Sequence, residues 1–177
     1  MAIRKAITPH KIESVKLDPI NCKILNILQK DCRSSLTDMA RQVNLSVDST
    51  KKRMDKLSKS SIFFPKIQIR PRRMGFQYVV DVKVKLHNYG DKQLKEFIEY
   101  LIAHHRVAEL FSISGQWDFT IVLVAKDHED LAAITGTIRE RFSQIISDWV
   151  ESITTVAYKF EIYDIEKLAK DLKNEKT

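Results

Sequence analysis

The sequence is short of the residues that build covalent or metal-held scaffolds. It holds two cysteines, Cys22 and Cys32, with no C-x-x-C spacing, which excludes a disulfide framework and gives a zinc site no support. Both read as reduced thiols. The four glycines fall in no phosphate-loop spacing, and neither a nucleophile elbow nor a paired metal-ligand motif occurs. Catalytic residues, cofactor and metal are therefore all expected to be none. No apolar run approaches the roughly 18 residues of a membrane span, and MAIRKAITPHK lacks the apolar core of a signal peptide. A cytoplasmic protein without a membrane partner is expected. The apolar fraction of 44% is ordinary for a globular chain and suffices for one medium domain or two small ones.

Positive charge is plentiful and unevenly placed. The formal net charge is +7. Residues 1–76 carry 17 Lys and Arg against 6 Asp and Glu, while residues 77–177 carry 13 against 17. The whole excess thus sits in the first half, for which a phosphate backbone is the obvious partner.

Residues 35–58, SLTDMARQVNLSVDSTKKRMDKLS, organise that half. Ser35 with Asp38 three positions on is a helix-start signal, and Leu36, Met39, Ala40 and Val43 follow at i, i+3, i+4 and i+7, one apolar stripe. A turn at Asn44 and Leu45 leads to Ser46, a second N-cap. The next helix sets Val47, Thr50, Met54 and Leu57 on an inner face and Ser49, Lys52, Arg53 and Lys56 on an outer one. This division is what a helix-turn-helix needs, since its second helix must anchor on the first while offering side chains to the major groove. The plainer reading is a solvated face on an ordinary helical hairpin; the charge asymmetry favours DNA.

Residues 1–16 read as a basic N-terminal arm, either a disordered terminus or a source of extra phosphate and minor-groove contacts. Asp18 and Pro19 open a supporting helix with Ile20, Ile24, Ile27 and Leu28 in one stripe, completing a DNA-binding domain over 17–62. Residues 63–76 form a linker strand or hinge: Ile62, Phe63, Ile67 and Ile69 suggest extended chain, and Pro65 and Pro71 restrict it to an edge. Lys66, Arg70, Arg72 and Arg73 keep that segment basic, solubilising the edge or touching DNA flanks.

From residue 77 the pattern becomes strand, helix, strand, and repeats. Val80, Val82, Val84 and Leu86 alternate with Asp81, Lys83 and Lys85 in a strand. Asp91 caps a helix with Leu94, Phe97, Ile98, Leu101 and Ile102 inward. Residues 107–114 and 119–124 are the next strands, and Leu131, Ile134, Ile138, Phe142 and Ile145 mark a second helix. The alternation of Val156, Tyr158, Phe160 and Ile162 predicts a last strand. The order βαββαβ over 77–163 is that of a ferredoxin-like sandwich whose open sheet face predicts self-association. Residues 164–177 form an amphipathic C-terminal tail that either packs on a neighbouring subunit or frays. The fold class is α+β: an N-terminal winged-type helix-turn-helix domain, a linker strand, and a C-terminal ferredoxin-like domain for effector binding and oligomerisation.

These parts in this order resemble the leucine-responsive, or feast/famine, family of transcription regulators (Lrp/AsnC) over residues 17–163. The Leu17-Asp18 start, the Ile24-Leu25 pair, Asp31-x-Arg33, the Leu45-Ser46 turn, and Arg53 with Leu57 are similar to the family's opening. GQWD at Gly115–Asp118 is similar to its Gly-x-aromatic-Asp turn. Three positions depart from the pattern: Lys51 stands where an apolar residue is usual, Ser61 where a glycine is usual, and Trp117 is a bulkier aromatic.

The resemblance implies a DNA-binding transcription regulator modulated by an amino acid or related metabolite. The expected partners are double-stranded DNA, a second copy in a homodimer with tetramers or octamers beyond it, and an amino-acid effector, in a cytoplasmic, nucleoid-associated protein. Ser49, Thr50, Lys52 and Arg53 are expected at base edges. Lys56, Lys59 and Ser35 are expected on phosphate, with Ser46 and Lys51 completing the DNA-binding set. Gly115, Gln116, Trp117 and Asp118 are the implied effector residues: glycine admits close backbone approach and an aspartate can pair an α-ammonium. From spacing alone the same four residues read as a tight turn capped by Asp118.

Three alternatives stand beside this one. The basic half would equally support sequence-independent coating of DNA by an architectural protein. Sirohaem decarboxylases share the two-part architecture, but their His-Asn-Tyr-x-Arg run is absent from RVAELFSISGQWD, and His104 and His105 read as a surface pair at a helix end. An RNA-recognition module would need aromatics displayed within a basic sheet, whereas this half is net acidic.

Overall fold

The computed structural model describes residues 17–174, with side chains to residue 172; the arm at 1–16 lies outside the described residues. These fall into two compact units, one of residues 17–68 joined by 159–174, the other Ile69–Tyr158. Residues 159–163 were expected in the second domain and belong to the first.

In the first unit each helix begins where its cap is. The Asp18 carboxylate accepts the Asn21 N–H at 2.7 Å and Pro19 opens α1, Pro19–Lys30. The Ser35 hydroxyl accepts the Asp38 N–H at 3.1 Å and opens α2, Leu36–Val43. Asn44 ends α2 in the left-handed region at φ 57°, which asparagine tolerates better than most residues. Ser46 then caps α3, Val47–Lys59. Ile24, Leu25, Met39, Ala40, Val43 and Leu57 are buried among the three helices, and each large side chain contributes roughly 1.5–3 kcal/mol. Val47, assigned to the inner face, is 42% exposed.

A fourth helix, α6, Ile165–Asn174, packs on α1 of the same chain. Two amide side chains of α1 hold its approach. Gln29 exchanges two bonds with the backbone of Tyr163, at 2.9 and 3.0 Å, and Asn26 accepts the Ile165 N–H at 3.1 Å. Ile165 joins the core. Among the described residues the tail thus packs on its own chain, at α1.

The second unit is a four-stranded antiparallel sheet in the order β2-β3-β1-β4. Its elements run β1 Tyr78–Leu86, α4 Asp91–Ala103, β2 Val107–Ser112, β3 Phe119–Ala125, α5 His128–Arg141 and β4 Ile146–Ile153. β1 alternates as its sequence does, with Val80, Val82, Val84 and Leu86 buried. They meet Phe119, Ile121, Leu123 and Ala125 of β3 together with Phe97, Leu101, Leu131 and Ile138 from the helices. Phe97 lies edge-on to Phe119 and Phe142, with centroids 5.5 and 5.1 Å apart. The expected βαββαβ order is present.

Four expectations need correction. The last strand is Ile146–Ile153; Val156, Tyr158, Phe160 and Ile162 are all exposed and pair with nothing regular. Alternation supplies a two-faced ribbon but no ladder partner, and the free edge of β1 is already taken, with Val84 opposite Trp149. The linker strand does not form either: residues 63–70 have no ladder and Pro71–Met74 is a single 3-10 turn. Arg72 there donates to the carbonyls of Gln77, Thr154 and Thr155, so it secures the turn to the end of β4. Gly90, not Asp91, is the N-cap of α4, with Gln93 accepting the Gly90 N–H at 2.9 Å. Ile102, placed on the inner stripe of α4, is 50% exposed.

Candidate nucleic-acid interface and effector turn

The presentation of α3 follows from what anchors it. Thr50 and Leu57 are fully buried and Met54 partly so, which fixes one side against α1 and α2. Thr50 also donates its hydroxyl to the Ser46 carbonyl at 3.0 Å. It therefore presents nothing to a base, and the expectation that it reads one is withdrawn.

Arg53 is committed as well. Its guanidinium donates to Asp18 at 2.5 Å and to the Asn21 side chain at 2.9 Å, and it is half-buried between α3 and the start of α1. Partial burial pushes the Asp18 carboxyl up, but the bonds from Arg53 and the Asn21 amide outweigh it and hold the group below its ordinary value. Both bonds leave from Nη1, so Arg53 is placed to position the helix.

Ser49, Lys51, Lys52, Lys56 and Lys59 are exposed, and among the described residues none of these four lysines is ion-paired. Ser35 and Ser46 are exposed caps; the Ser46 hydroxyl donates to that of Ser49 at 2.9 Å while accepting its N–H. Both helix starts keep free backbone donors of the kind that favour phosphate. Ser49, Lys51, Lys52, Lys56 and Lys59, with the caps, therefore lie on the exposed side of the helix, where Asp48 and Asp55 stand among them. The tie from Arg53 to Asp18 and Asn21 was missed in the sequence, because opposite charges so far apart in the chain carry no local signal.

In the second unit, Gly115 sits at φ +127° with open space where a Cβ would be. That backbone angle is one that calls for glycine. Gln116 is exposed and Trp117 half-buried. The Asp118 carboxylate accepts the Leu86 N–H at 2.7 Å and a Lys85 ammonium bond at 3.0 Å. The Leu86 bond is the chief reason its pKa lies below the ordinary value, with Lys85 adding to it against partial burial. Leu86 lies where the β1–β4 register shifts, and the Asp118 side chain takes its N–H two residues past the last β1–β3 pair, Val84 with Phe119. The turn reading of Gly115–Asp118 is the one its geometry displays; the carboxylate has ties within the chain before any ammonium arrives. Two open depressions of about 370 and 250 Å³ lie around α5 and the start of β4 and do not include this turn.

His104 and His105 stack at the end of α4, with centroids 5.4 Å apart. Burial, with the charges of His105 and Arg106 beside it, holds His104 below its ordinary value. No metal-holding cluster occurs among the described residues.

Residues 17–58 match the AsnC-type helix-turn-helix domain and residues 79–155 the Lrp/AsnC ligand binding domain. The chain belongs to the Lrp/AsnC family. An uncharacterized HTH-type transcriptional regulator of Haemophilus influenzae is 31% identical over 69% of this chain and 73% of its own length. The HTH-type transcriptional regulator LrpA of Pyrococcus abyssi is 34% identical over 63% and 77%. A transcriptional regulator of Neisseria meningitidis solved in complex with L-Met has the same fold, with a TM-score of 0.74 at 18% identity over 81% of this chain and 93% of that one. Both matched Lrp/AsnC domains stop short of residue 156, so the exposed run 156–163 and α6 lie beyond them.

Proposed function

We propose that the protein is a sequence-specific DNA-binding transcription regulator that works as a homodimer and responds to an amino acid or related small metabolite. The observation that carries this reading is α3: a helix fixed by Thr50, Leu57 and Arg53 on one side and presenting unpaired lysines on the other. A dimer would set two such helices in successive major grooves, about one helical turn or a small multiple apart. Support for a dimer comes from the sheet face turned away from α4 and α5. There Phe111 and Val150 are 49% and 46% exposed, beside half-buried Val79, Val122 and Val124, an apolar surface a second copy would cover. Assembly beyond the dimer, to tetramers or octamers, is a further step of the same proposal.

The effector reading rests on the matched ligand-binding domain and the relative that binds L-Met. Since the Asp118 carboxylate is tied to Leu86 and Lys85, the site would draw its remaining contacts from a second copy. The protein would act in the cytoplasm, at the nucleoid; among the described residues no helix is long and apolar enough to cross a membrane.

The test is to titrate the protein at near-physiological salt onto a pool of genomic DNA fragments and sequence what is retained. Enrichment of a few fragments sharing a palindromic site is the expected result. Uniform retention that vanishes steeply with salt would replace it with the second reading, phosphate-dominated coating, which the same lysines would serve. Calorimetry with a panel of amino acids tests the effector; no heat with any of them removes it.

A further inference from the structure

The outermost row of α3 is not the wholly cationic one its composition implies. Thr50 and Leu57, seven positions apart, define the buried side. Diametrically opposite, at i, i+4, i+7 and i+11, run Asp48, Lys52, Asp55 and Lys59, all exposed. Two carboxylates therefore stand on the side of the helix that would face DNA. Among the described residues neither has an ion-pair or hydrogen-bond partner, although Lys52 and Lys59 lie four positions on from them.

A carboxylate against a polyanion is repelled unless it meets a donor. In the major groove the donors are base amino groups. Guanine presents only acceptors there and adenine sets an acceptor beside its amino group, so cytosine N4 is the best match for a carboxylate. Position decides between the two aspartates: helix-turn-helix proteins read bases with the N-terminal residues of the second helix, and Asp48 is in the first turn of α3 whereas Asp55 lies two turns further on. Its neighbour Val47, 42% exposed, adds an apolar surface suited to a thymine methyl.

We propose that Asp48 is a specificity-determining residue: it accepts from the amino group of a cytosine in each half-site, beside a thymine met by Val47, and rejects guanine at that position. The inference rests on the regulator reading above. In it, Lys51, Lys52 and Lys56 supply affinity, while Asp48 lowers binding to DNA in general and restores it at one base.

The experiment selects bound fragments from a random DNA pool with the full chain and with Asp48→Asn, Asp48→Ala and Asp55→Asn. The native protein should favour cytosine at one position per half-site, by on the order of tenfold. Asp48→Ala should lose that preference and bind unrelated DNA more tightly. Asp48→Asn should shift it toward adenine, which asparagine can grip through two bonds. Asp55→Asn should raise general affinity and leave the base preference alone. Asp48 also lies near the positive end of the α3 dipole. If both Asp48 variants only melt lower, with every base preference intact, the residue is a helix stabiliser and the inference fails. If the native chain shows no base preference at all, the regulator reading fails first.

Discussion

Arg53 reaches from the middle of α3 to Asp18, 35 positions earlier, and the carboxylate it meets is also the N-cap of α1. One oxygen holds the start of a helix and the other holds the reading helix against it. Removing the carboxylate with Asp18→Ala loses both functions, and a cost of about 1–2 kcal/mol in chemical denaturation is expected. DNA affinity should fall to the same degree on all sequences, because the pair sets an angle and reads no base. The pH sign follows from the lowered pKa of Asp18: its stabilisation is fully present above the ordinary carboxyl value and is lost as pH falls through the folded one. The gap between native protein and Asp18→Ala should thus stay constant through neutrality and close in acid.

Asp118 makes a similar double tie at the end of β1. Asp118→Ala leaves the Leu86 N–H without its acceptor and should cost about 1–3 kcal/mol. Asp118→Asn keeps an oxygen for Leu86 and loses only the charge pair with Lys85, costing less than about 1 kcal/mol. Equal losses in thermal melts would show that the Lys85 pair, and not the Leu86 bond, holds the turn.

Ser61 follows α3 at φ 57°, in the left-handed region where a side chain is strained. Ser61→Gly should raise stability by roughly 0.5 kcal/mol, the relief of strain exceeding the added backbone freedom of the unfolded chain. Asn44, at the same φ, gains less from the same change, since asparagine tolerates that conformation.

The hold of α1 on α6 is tested at Gln29, whose amide carries both bonds to Tyr163. Gln29→Ala should cost about 1 kcal/mol. In hydrogen exchange the amides of α6 should lose protection well before those of α1; unchanged protection would mean that Ile165 alone seats the helix.

Local signals in the sequence were reliable, and signals that depended on a distant partner were not. Asp18-Pro19, Ser35 and Ser46 mark the starts of the first three helices because a cap acts within one turn. β1 could be read because it lies inside the sheet with one face on the core. β4 could not, since it is an edge strand whose residues remain mostly half-buried or exposed, while Val156–Ile162 imitates a strand without a partner. The ties that Arg53 and Asp118 make within the chain were not legible in the sequence. Their partners, Asp18 and Leu86, lie 35 and 32 positions away.

The docking of α6 makes the DNA-binding unit discontinuous: its chain leaves after α3, builds a complete sheet-and-helix body, and comes home to finish. An insertion of this kind requires departure and return to lie side by side. The sheet provides that, since β1 and β4 are adjacent antiparallel strands with Val80 opposite Ile153. Cutting the chain at the linker would therefore not liberate an intact reading head. It would remove one of that unit's own helices and lay bare the side of α1 where Ile165 packs.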